Sequence, residues 1–219
     1  MFNTRFSLPV VIYALVCCIF PFIPDAVYAV LGPSAVRTVE NSQALALLGC
    51  GIFTFFYMRP DQLQGEKKMF WLWAVAWWIL LFGRSTSWGR DYFPEVPKIY
   101  FRGISVVLIG TVVFMLLSPI LRSAIAQKFK ALSLPVWAFL LALASLFISG
   151  TIESHKPLAA IWVFDPVNTD LLEELYEYPL LLGLFLMAWP MMKQDKASLS
   201  EPQKSPKSAQ NQPSDGLHI

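Results

Sequence analysis

Charge, histidine and paired cysteine are scarce in this chain. Its two histidines are His155 and the near-terminal His218. That is too few for a haem held by paired intramembrane histidines. The three cysteines, Cys17, Cys18 and Cys50, include no CxxC pair, so neither a redox dithiol nor a zinc site is suggested. All three lie in apolar runs, where cysteine behaves as a small hydrophobe. Charged residues make up 15% of the chain, against about 25% in soluble domains. With a net charge of +2, no basic block and no interleaving of aromatic with basic residues, nothing points to a nucleic-acid partner. Walker, GxGxxG, HExxH and GxSxG motifs are missing. The usual signatures of an enzyme go with them, although a lipid-directed enzyme stays open. No internal repeat is evident.

What the chain has is apolar surface. Hydrophobic residues are 56% of the 219, and mean hydropathy is +0.52. A single soluble core cannot hide that much, so lipid must solvate much of it. The fold class expected is all-α, a polytopic transmembrane helix bundle of about six spans. These lie near 8–23, 41–58, 69–83, 103–121, 134–150 and 175–192. Several fall short of the ~20 residues that a perpendicular helix needs and are expected to extend into their flanks. The runs are continuous rather than alternating, which argues against a β-barrel. Residues 1–193 form the transmembrane domain, and 194–219, rich in Ser, Pro, Gln and Lys, a disordered polar tail.

The first run has an alternative. Arg5, an apolar stretch and Val27-Tyr28-Ala29 also fit a cleaved signal peptide. A retained helix is the stronger reading, with Pro21, Pro24 and Asp25 ending it. Orientation follows from Lys and Arg. Six of the 17 (Arg37, Arg84, Arg90, Lys98, Arg102 and Lys156) fall in the segments that are outside if the N-terminus is inside. The remaining eleven (17 less six) are then inside, so the positive-inside rule favours both termini in the cytoplasm.

Polar residues gather at the outer ends of the spans. In Gly83-Arg84-Ser85-Thr86-Ser87-Trp88-Gly89-Arg90-Asp91, a helix continued outward would put Arg84, Ser87, Trp88 and Asp91 on one face. Arg84 and Arg90 are candidates to hold phosphate or carboxylate, through the paired donors of the guanidinium fork. Interface anchoring by Trp and snorkelling Arg is the plainer account. In Asp170-Leu171-Leu172-Glu173-Glu174-Leu175-Tyr176-Glu177-Tyr178-Pro179, the carboxylates fall on overlapping helical faces. Glu174 and Glu177 are catalytic candidates, since carboxylates in an apolar zone are costly. Asp170 and Glu173 also fit a helix N-terminus. Glu153, His155, Glu173 and Glu177 are weak candidates to ligate a divalent cation. Ala138, Ala142, Ser145 and Ser149 form a stripe of small residues suited to close helix packing.

Arg84-x-x-Ser87-Trp88-Gly89-Arg90, at the outer end of a Trp-rich span, resembles a motif in uncharacterised bacterial multi-span membrane proteins. Those often read Arg-Glu-x-Ser-Trp-Gly, followed by Gln or Arg. Ser85 stands where the acidic residue is usual, so that position has no carboxylate to ligate or catalyse with. The resemblance covers the middle third of the chain and the acidic pair before the last span. It implies a multi-pass protein of the bacterial cytoplasmic (inner) membrane and no particular activity.

Two functions remain. One is a polar site at the outer face, formed by Arg84, Arg90, Glu153, His155, Glu174 and Glu177, that engages a lipid headgroup or another anionic ligand. The other is an accessory membrane protein or small transporter whose charges pair with one another, Arg84 with Glu177. The span middles are almost free of charge, which counts against transport.

Overall fold

In the computed structural model, residues 2–3, 8–90, 92–131, 134–154, 161 and 169–200 are described. They are overwhelmingly helical. The helices are α1 (Leu8–Ile19), α2 (Pro24–Leu31), α3 (Ala35–Met58), α4 (Gly65–Ser85), α5 (Lys98–Met115), α6 (Pro119–Ala131), α7 (Val136–Glu153) and α8 (Thr169–Ser200). A two-residue parallel pairing sets Phe2–Asn3 beside Leu134–Pro135.

Four helical stretches are long and apolar enough to cross a membrane: Pro24–Gln62, Lys98–Met115, Val136–Glu153 and Thr169–Ser198. The first expected span is a shorter apolar helix, Leu8–Phe22. Pro21 turns its end into a 3-10 turn, Phe20–Phe22, and Pro24 starts α2 afresh. The third expected span, α4, has 21 residues, but its tryptophans and end charges dilute its hydropathy. The fourth stops at Met115 instead of running to Leu121. Pro119 disfavours helix at Ser118 and opens α6.

Helix α8 packs along α7 and α3. Helix α4 packs on the other flank of α3 and carries α5 and α6, while α1 lies against α7 and α8. The small-residue stripe is the closest seam: Ala138, Ala142, Ser145 and Ser149 are all buried. A Cβ at Gly183 of α8 would stand 2.6 Å from that of Ala142 and 3.2 Å from the Ala138 carbonyl oxygen. Without lipid–water partition to drive helices together, such close backbone approach supplies the attraction. Pro179, inside α8, cannot donate to the Leu175 carbonyl; the Tyr13 hydroxyl donates to the carbonyl of Pro179 itself.

Two clusters close the bundle at opposite ends. One gathers Phe20, Val39, Ile152, Leu171, Leu175 and Tyr176 where α8 begins, with Phe20 and Tyr176 edge to face at 5.6 Å. The other gathers Met58, Phe70, Trp71, Leu121 and Met192. Over it, α8 continues to Ser200, past the boundary at 193 that composition suggests. Asp195 is only 4% exposed. It accepts from Trp71 Nε1 at 2.7 Å and pairs with Lys128 of α6. The Lys128 ammonium also lies 5.6 Å from the Phe70 ring centre and 5.9 Å from that of Trp71. One carboxylate thus ties together α4, α6 and α8.

Many large hydrophobic side chains lie on the outer surface. On α5 alone, Ile99, Val106, Val107 and Phe114 are exposed. Contiguous apolar surface of this kind suits a lipid environment rather than water.

Candidate functional site

The polar end is built from the start of α3, the end of α4, the start of α5, the end of α7 and the start of α8. Its geometry departs first at the end of α4. The helix does not continue through Ser87 and Trp88. It stops at Ser85, and Thr86 Oγ1 returns to the carbonyls of Phe82 and Gly83, each at 3.1 Å. Ser87, Trp88 and Gly89 then take positive φ values of 48°, 59° and 92°. Gly89 adopts this at little cost, but each non-glycine residue held there stores of order 1–3 kcal/mol.

The reward for that strain is the seat of Trp88. Its ring folds back over Gly83, so close that a Cβ on Gly83 would lie 2.3 Å from Cζ3 and 2.5 Å from Cε3. Only glycine leaves room. The expected shared face of Arg84, Ser87, Trp88 and Asp91 is therefore replaced by a reversal of the chain, and Asp91 itself lies outside the described residues. The loop beyond is tied to α3: the Tyr92 hydroxyl donates to Asn41 Oδ1, and the Arg37 guanidinium carbon sits 5.7 Å from the centre of the Tyr92 ring.

This turn divides the polar residues into two groups of opposite character. The first is acidic. Glu177 interacts electrostatically with Arg84, Glu153 and Glu40. Glu173 is within range of Glu153, Glu177, Asp170 and Glu40, and Glu174 of Glu177, Glu40 and Glu173. Local bonds hold the start of α8 in place beside α3. Gln43, buried on α3, donates from Nε2 to the Glu174 carbonyl at 2.6 Å, and Ser42 bonds to the Tyr178 hydroxyl. The structure thus brings together Arg84, Glu153, Glu173, Glu174 and Glu177. Among the described residues, no three His, Cys, Asp or Glu side chains are grouped as metal ligands. His155 falls outside the described residues.

The second group is basic, and Arg90 belongs to it. A cavity of about 370 Å³ is lined by Ser87, Trp88, Arg90, Lys98, Phe101, Arg102, Ser105 and Val106. Lys98 and Arg102 are one turn apart at the start of α5. Both were legible only as topology charges. A sharper signal was available: two cations four residues apart repel, and they stand at the positive end of the helix dipole. No acidic residue occupies that first turn, and Pro97 gives no side-chain cap.

Across Trp88 lies a larger cavity of about 640 Å³ between α3, α4 and α5. Its walls are apolar, with Leu45, Ile79, Phe82, Ile104 and Leu108; Asn41, Thr86 and Tyr92 also line it. Trp88 lines both cavities. The apolar volume falls within the range of small-molecule sites.

Comparison of the chain with protein-family models, with curated proteins and with solved structures finds no match.

Proposed function

We propose that this chain is a multi-pass protein of the bacterial cytoplasmic membrane whose polar end, on the outer face, binds an anionic group. The observation that carries the reading is the basic cavity: among the described residues, Arg90, Lys98 and Arg102 line one space, and no described carboxylate does. Guanidinium and ammonium groups so gathered favour an anion that accepts from several donors. Six crossings, with both termini inside, follow if α1 and α4 join the four helices that are long and apolar enough. The Lys and Arg distribution supports that orientation. The bacterial inner membrane rests on the Arg-x-x-Ser-Trp-Gly resemblance.

Topology is tested by thiol labelling in intact cells, with Cys17, Cys18 and Cys50 first replaced. Single cysteines at Ser87 and Ser154 are expected to react with an impermeant reagent, and one at Ser200 to stay silent. The opposite pattern would turn the polar end to the cytoplasm and end the outer-face reading.

A second reading is favoured by the electrostatic influence of Arg84 on Glu177: an accessory protein whose acidic end is merely neutralised by pairing. In that case Arg84→Glu and Glu177→Arg each lower the membrane-inserted yield severalfold, and the double exchange restores it. A double exchange that recovers nothing rules this reading out.

A further inference from the structure

We infer that the anion is the headgroup of a membrane phospholipid, with an acyl chain in the apolar groove between α3, α4 and α5. This rests on the anion-binding reading above and names its ligand class. A soluble anion would use the basic cavity alone and leave the groove beside it without a role. An amphiphile that passes the edge of the Trp88 indole reaches both, because the two cavities adjoin at that ring.

The groove suits a chain taken from the bilayer. Leu45 on one wall is 67% exposed and Ile104 on the other 46%, so it opens onto the protein's apolar flank. The neighbouring α5 surface, with Ile99, Val106 and Val107 exposed, continues that flank toward lipid. Charge complementarity selects the headgroup. Lys98 and Arg102 repel each other at the positive end of α5, and a phosphate between them relieves the repulsion while accepting charge-assisted hydrogen bonds. Glu95, exposed in the loop before α5, does not line the cavity. A zwitterionic headgroup would bring its own cation beside Lys98 and Arg102, so a net-negative phospholipid is preferred.

The test uses the full chain, purified in detergent and offered equal phosphatidylglycerol and phosphatidylcholine. Retained lipid is counted by native mass spectrometry. The wild type is expected to keep phosphatidylglycerol over phosphatidylcholine by about tenfold or more, and Lys98→Gln with Arg102→Gln to abolish the preference. Leu45→Trp, at an exposed wall of the groove where folding is not at stake, is expected to cut retention about tenfold with the basic cavity intact. Ile104→Trp repeats the test from the opposite wall. Inorganic phosphate at millimolar concentration is expected to leave the lipid in place. If phosphate displaces the lipid and both groove variants behave as wild type, the lipid inference fails while anion binding stands. If phosphatidylglycerol and phosphatidylcholine are retained equally and phosphate does not bind, both fail.

Discussion

Asp195→Ala is expected to destabilise the protein by about 3–5 kcal/mol, because removing one partner of a buried ion pair leaves the other charge uncompensated. The carboxylate has two partners to lose, Lys128 and the Trp71 indole N–H, and Trp71 is 1% exposed. Thermal unfolding in detergent should register the change as a fall in melting temperature of roughly 10 °C. The pair itself is weak evidence of net stabilisation, since desolvating both charges offsets much of their attraction. Hence Asp195→Asn combined with Lys128→Met should recover most of the loss. The amide oxygen still accepts from Trp71, and the methionine keeps the packing against Phe70 and Trp71. A fully stable Asp195→Ala variant would mean that the end of α8 is not held by this carboxylate.

Gly83→Ala is expected to have the other large effect. The added methyl would overlap the Trp88 ring, which is held from the far side by a left-handed backbone. Overpacking of this kind costs about 1–3 kcal/mol, and the cheapest relief is to expel the indole. The wall shared by the two cavities would leave with it, so phosphatidylglycerol retention should fall together with the melting temperature. In a Trp88→Gly background the same Gly83→Ala change should be nearly neutral, because the clash has gone and glycine tolerates the positive φ. Additive costs in the double variant would show that Trp88 does not rest on Gly83.

The apolar helices were legible because burial in lipid needs only composition and length. The C-terminal end of α3 and both ends of α7 fall within three residues of the expected spans, whereas α8 starts at Thr169 and runs to Ser200, well beyond the expected 175–192 at both ends. The small-residue stripe of α7 was legible too: periodicity alone puts Ala138, Ala142, Ser145 and Ser149 on one face, and that face is buried. The acidic residues at the start of α8 were visible as a cluster, but their neighbours Glu40 and Gln43 come from α3, more than a hundred residues earlier in the chain. Asp195 was hidden by its setting. Flanked by Lys, Gln and Ser, it reads as solvated tail, and only the arrival of Lys128 and Trp71 from other helices makes it worth burying. Arg90 shows the opposite failure. Sequence proximity grouped it with Arg84, whereas beyond the left-handed turn at Ser87-Trp88-Gly89 it lines the basic cavity beside Lys98 and Arg102.

By itself, the sequence determined that the chain carries long apolar stretches, that its elements are helices, and that charge gathers toward their ends. Those follow from summed transfer energies, which depend on residue type and not on neighbours. Tertiary structure alone decided which charges meet. A reversal of three residues, paid for by the seat of one indole on one glycine, separates an acidic group from a basic one and sets an apolar groove between α3, α4 and α5. Such an outcome depends on steric fit between residues on different helices, and no local pattern encodes it.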